Sequence, residues 1–207
     1  MTAWVVRAGV LGERDQWALD NSMAGGGFDN FPDLTQATSR GSIRAIADQV
    51  MAGEDKFKIA NFTGQMWALR NSIKPGDLIV LPLKTTKKLA FGLCTSGYEY
   101  LSGQPEDRRH AVQVDWKRAD VPRSALKDDL LNTINGAMTI FSATRNSAED
   151  RLRAVLKDGV DPGLAQPSSL PASSLTSDGV IDQIATDPTL AITVDAIRDQ
   201  VRTHLTE

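Results

Sequence analysis

Apolar residues follow three rhythms along this chain, and each predicts a different element. Leu78–Leu83 is a continuous apolar run of strand length, entered through the turn signal Pro75-Gly76-Asp77. The polar link Thr85–Lys88 leads to a second run, Leu89–Cys94, so the two predict a hairpin. Gly97 breaks the pattern before Tyr98 and Tyr100, which share one face if extended. The second rhythm is alternation. In Ala111–Lys117, Val112, Val114 and Trp116 point one way, and Gln113, Asp115 and Lys117 the other. Ala3–Arg7 and Ala137–Ser142 add two shorter strands. The third rhythm is helical. Arg40–Met51 repeats apolar residues at Ile43, Ile46, Ala47 and Val50 behind Thr38-Ser39, and Lys58–Ser72 carries the stripe Phe62, Met66, Leu69, Ile73. Shorter helices are predicted at Glu13–Asn21, Ser124–Leu131 and Ser147–Leu156. Met23–Asp33 holds three successive glycines and Pro32, and cannot be a regular helix.

The pattern predicts an α+β body over residues 1–157. Residues 158–177 are rich in Pro, Ser, Gly and Ala and read as a flexible linker. Residues 178–207 read as a helical tail, with helices at Val180–Ile184 and Val194–Leu205. Ile197, Val201 and Leu205 form one stripe that needs a partner surface, so a homodimer through this tail, or through a fused nuclease domain, is the expectation.

Composition narrows the function classes. The single Cys94 excludes an internal disulfide and a Cys-based zinc site. No stretch reaches the roughly 18 apolar residues of a membrane helix, and Met1–Val10 lacks a signal-peptide core, so the expected location is the cytoplasm. Net charge is −3, unevenly spread. Residues 1–125 hold 16 Lys and Arg against 14 Asp and Glu, whereas residues 126–207 hold 7 against 12. The front body is mildly basic and can offer a local phosphate-binding face.

Two chemistries compete on the residues alone. Metal-dependent nucleases hold Mg²⁺ on an Asp and an acid-x-Lys pair. Asp115-Trp116-Lys117 has that spacing on one strand face, and Glu54-Asp55-Lys56 repeats it in a turn. The alternative is recognition of an unpaired base by aromatic faces and basic residues. Trp4, Trp17, Phe28, Phe31, Trp67, Tyr98, Tyr100 and Trp116 supply rings, and a basic set clusters from the hairpin turn to the following strand. The Gly-rich loop is followed by no Gly-Lys-Ser/Thr, so it is not a nucleotide P-loop, and the two histidines, His110 and His204, form no cluster.

Several motifs carry a resemblance. They are Trp4–Gly9 with Gly12-Glu13, Gly64–Trp67 with Ile73, Gly76–Thr85, Ala90–Gly92, Gly97–Tyr100, and Val114–Trp116 with Asp120–Ser124. In order and spacing the chain resembles, over residues 3–155, the N-terminal domain of Mrr-like (type IV) restriction endonucleases. That domain is similar to the EVE, YTH and PUA-like group. The resemblance implies a small antiparallel β-barrel with flanking helices that accepts a flipped, modified base of double-stranded DNA, such as 5-methyl- or 5-hydroxymethylcytosine. It implies a base pocket walled by Arg7, Ala8 and Gly9, with Phe28 in a loop position where relatives often carry Trp. Asn61 and Gln65 would read the base edge, Tyr98 or Tyr100 would close the second wall, and Trp67 belongs to core or pocket. Lys84, Lys87, Lys88, Arg108, Arg109 and Arg123 would meet the DNA backbone. The family's nuclease domain, with its Mg²⁺, follows this region, and no stretch after Ser177 matches it. The expectation is a targeting module with no catalytic residue, metal or cofactor of its own. The alternatives are a nuclease using Asp115 and Lys117, or a reader of modified RNA.

Overall fold

A computed structural model describes residues 1–164. The predicted tail helices and most of the predicted linker lie outside them. The described chain is a mixed α+β body built on six strands: β1 (Ala3–Val6), β2 (Met23–Gly25), β3 (Leu78–Pro82), β4 (Lys88–Tyr100), β5 (His110–Pro122) and β6 (Ile140–Ser142). They form one curled sheet, a half-barrel, in the order β2-β5-β4-β3-β1-β6. The sheet is not wholly antiparallel, because β1 runs parallel to β3, with Trp4 opposite Ile79. The chain reaches that position through two helices, α2 (Arg40–Val50) and α3 (Lys56–Trp67), as a parallel crossover requires.

The continuous apolar run of β3 has a direct cause. Ile79 faces a core with Ile43 and Ala47 of α2 and Met66 of α3. Its neighbours Leu78 and Val80 face a second core with Leu130 of α4 (Asp128–Ile134) and Leu152 and Val155 of α5 (Ala148–Asp158). A strand covered on both faces has no polar side. The stripe predicted from Phe62 to Ile73 does face the first core, although the helix gives way after Trp67 to a wider turn over Ala68–Ser72. Ser39 caps α2 by accepting from Ser42 N.

Several predicted boundaries move. The second hairpin strand runs on through Gly97 to Tyr100, because three residues of β4, Thr95, Ser96 and Gly97, pass opposite Gln113 alone of β5 between the pairs Cys94–Val114 and Tyr98–Val112. This bulge lets the strand bend instead of ending. Met23–Gly25, expected to be irregular, pairs with β5. The predicted helix at Ser124 starts later, at Asp128. The body also continues past residue 157. Asp161, assigned to the linker by composition, is 1% exposed and takes a two-pronged contact from Arg151, with Nε–Oδ1 at 2.9 Å and Nη2–Oδ2 at 2.8 Å. Among the described residues, no helix is long and apolar enough to cross a membrane.

Candidate ligand-binding cleft

The parallel strands β1 and β3 both run toward one end of the sheet, where a cleft of about 720 Å³ opens. Ligand sites of small molecules span roughly 300–1,000 Å³. Arg7 and Gly9 follow β1, Lys84 follows β3, and Thr139 precedes β6. The loop after β2 contributes Gly27–Phe31, and the α2–α3 corner adds Met51, Lys58 and Phe62. Arg7 N donates to Thr139 O at 2.9 Å, which closes the strand ends together. The floor is aromatic: Phe28 meets Phe31 edge-on at 6.2 Å and Phe62 at 5.9 Å. The rim is mixed in charge. Lys58 pairs with Glu54 at 2.7 Å, and Glu13 accepts from Leu11 N at 3.1 Å. The Glu13 carboxylate lies below the ordinary range chiefly through its own backbone N–H, with that of Leu11 assisting.

The glycine-rich loop has a role that the sequence did not disclose. Its residues wrap the guanidinium of Arg14, which enters the cleft wall from the start of α1 (Asp15–Asp20). A Cβ on Gly26 would lie 2.8 Å from Arg14 Nε, and one on Gly27 2.6 Å from Nη2. Both glycines also have positive φ, at 81° and 71°. Arg14 and Gly26 are far apart in sequence and share no pattern, so spacing held no clue to the pairing. Asp15 braces the same corner by accepting from Thr85 N at 3.0 Å and Thr85 Oγ1 at 2.9 Å.

The predicted base-pocket residues divide among three places. Arg7, Gly9 and Phe28 line the cleft, and Ala8 is buried beside it, its carbonyl accepting from Arg14 N. Phe28 is only 5% exposed and presents an edge-packed floor, not an open stacking face. Burial and then the nearby Arg123 charge pull the Arg7 pKa below the usual arginine value. Asn61, Gln65 and Trp67 are absent from the cleft lining and line a depression of about 390 Å³ next to β6. Gln65 is spent there. Its Oε1 accepts from Thr139 N and Ile140 N, and its amide donates to Asn61.

Tyr98 and Tyr100 are not cleft walls. Tyr98 Oη accepts from Leu34 N at 3.2 Å and meets His110 Nδ1 at 2.8 Å, while the Arg70 guanidinium lies 5.6 Å from its ring centre. His110 Nε2 must donate to the Phe31 carbonyl at 3.0 Å, since a carbonyl only accepts. In the neutral ring Nδ1 is therefore the acceptor, and Tyr98 donates to it. Burial holds His110 below the ordinary histidine range. Tyr100 packs edge-on against the same imidazole at 5.2 Å. These residues clamp the Phe28–Leu34 loop from behind. Neither ring is in the cleft lining.

The predicted backbone contacts also separate. Lys84, Lys87 and Lys88 are exposed around the β3–β4 turn. Arg108 lies 5.9 Å from the Trp17 ring centre, Arg109 donates to Gln104 O, and Arg123 donates to Asn135 at 2.6 Å. Of the nuclease candidates, Asp115 and Lys117 pair with each other on the exposed face of β5. Asp55 caps α3 by accepting from Phe57 N and Lys58 N. Among the described residues, no three His, Cys, Asp or Glu side chains gather as a metal site.

The chain belongs to the DUF8426 family, a domain of unknown function, whose model matches residues 4–140. No curated protein matches it. The matched span takes in the cleft from Arg7 to Thr139 and stops before α5.

Proposed function

We propose that this chain is a DNA-binding module that draws one modified base out of the duplex and holds it in the cleft at the ends of β1 and β3. The observation that carries this reading is the pairing of an aromatic floor with the guanidinium groups of Arg7 and Arg14 in one wall of a cleft, where Arg7, Gly9 and Phe28 meet. The half-barrel is compatible with the EVE and PUA-like group, and the resemblance to the targeting domain of modification-dependent endonucleases supplies the class of ligand. Extruding a base costs a few kcal/mol, and the edge-packed floor returns at most the roughly 1–3 kcal/mol of a full stacking contact. Phosphate contacts therefore supply the balance. Lys84, which lines the cleft, and Lys87 and Lys88, exposed on the same β3–β4 turn, suit that role.

Equilibrium titration of the full chain against duplexes differing only in one cytosine, plain, 5-methylated or 5-hydroxymethylated, tests the reading. One modified duplex should bind at least tenfold tighter than the plain one, the equivalent of about 1.4 kcal/mol. Lys87→Ala with Lys88→Ala should weaken all duplexes alike and flatten the salt dependence. Equal affinity across the series would refute base reading, and preference for single-stranded RNA would redirect it to RNA.

A further inference from the structure

Arg14 is 7% exposed, yet its side-chain Nε is buried with no hydrogen-bond partner among the described residues. Its nearest carboxylate there, on Asp107, stands 3.8 Å from Nη1, which is an ion pair without a bond. The Nε of Arg7, in the same cleft, is likewise buried and without a partner among the described residues. A buried charge without hydrogen-bonded compensation is costly, and arginine does not escape the cost by losing its proton. The fold nonetheless invests in this position, since Gly26 and Gly27 leave space that any side chain would take from the guanidinium.

We propose that Arg14, with Arg7 lining the same cleft, is the seat for the phosphate group of a nucleotide held there. Two guanidinium forks offer several N–H donors, a match for the oxygens of a phosphate that a lone ammonium cannot give. Three acids line the same cleft, Glu13, Asp29 and Glu54, but Glu54 is engaged by Lys58 and Glu13 by Leu11 N, and none of the three forms an ion pair with Arg14 among the described residues. Phe28 and Phe62 then lie where the apolar part of the nucleotide rests. This inference rests on the reading of the cleft as a nucleotide site. The phosphate comes either from the backbone of an extruded nucleotide or from a free mononucleotide.

Calorimetry and thermal melting of the full chain separate these cases, using deoxycytidine 5′-monophosphate, deoxycytidine, inorganic phosphate and the modified duplex as probes. The expected result is Arg14-dependent binding. Deoxycytidine monophosphate or the duplex binds the wild type, and Arg14→Gln loses about tenfold or more, in line with a lost charged hydrogen bond. Arg7→Gln produces a smaller loss. Without ligand, Arg14→Gln should melt at or above the wild-type temperature, because it removes an uncompensated charge. Dependence seen with the duplex alone identifies a backbone phosphate. Dependence seen with the free nucleotide, and no duplex binding, identifies a mononucleotide site and ends the DNA reading while sparing this one. Duplex binding that Arg14→Gln leaves unchanged overturns the seat and spares the DNA reading. A ligand-free Arg14→Gln protein that melts several degrees lower also overturns it, by making Arg14 structural. If no probe binds the wild type, both readings fall.

Discussion

Replacing Tyr98 by Phe removes one oxygen and keeps the ring, so it separates a clamp from a stacking wall. Two groups lose their partner. Leu34 N–H belongs to a residue with 0% exposure, and His110 Nδ1 to one with 1%. Leaving a buried polar group unsatisfied costs about 1–3 kcal/mol. The clamp is partly buried, so the two together should cost about 2–4 kcal/mol. For a domain of this size each kcal/mol lowers the melting temperature by about 2–4 °C, giving an expected fall of roughly 4–16 °C in differential scanning calorimetry. His110→Phe should not add fully to it, because both variants break the same hydrogen bond. The Phe28–Leu34 loop should also loosen, seen as faster amide exchange at Leu34. A Tyr98→Phe protein that melts within about 1 °C of the wild type would refute the clamp. If the same protein lost modified DNA, the hydroxyl would belong to the ligand site after all.

Three further outcomes are expected. His110 is held below its solution value of 6.5 by burial, so the unfolded chain binds the extra proton first, and stability should be full above pH 6.5 and decline as pH falls below it; thermal melts from pH 8 to 5 should show this, with a flatter profile in His110→Phe. Arg151→Met leaves the Asp161 carboxylate buried without its fork and should cost about 3–5 kcal/mol, measured as the shift of the urea midpoint. Burial pushes the Cys94 thiol up to about 11, so a disulfide reagent at pH 8 should label the native protein far more slowly than the urea-unfolded one.

The elements were legible where packing follows local pattern. The β3 run, the alternation of β5 and the α2 and α3 stripes each place their apolar residues in the core. Legibility failed where the structure depends on distant pairings. The bulge at Gly97 is a mismatch between two strands, and neither strand encodes it alone. The parallel pairing of β1 with β3 joins segments 75 residues apart, as between Ala3 and Leu78, and no period reports it. Asp161 read as linker because its partner Arg151 sits one helix earlier among residues that look merely charged. The site was partly legible: Arg7, Gly9, Phe28 and Lys84 do meet at the cleft. Arg14 was missed because an arginine before a short helix ordinarily faces water. Only the glycines packed around it mark it as special.

The antiparallel hairpins linking β3, β4 and β5 can close early, since their partners are near in sequence. The first strand has to wait for a much wider loop to close, and with it come Arg7, Gly9 and Arg14. The ligand seat is thus completed at the end of folding by the amino-terminal segment. A chain shortened by about fifteen residues at that end should still build its hairpins while lacking Arg7, Gly9 and Arg14.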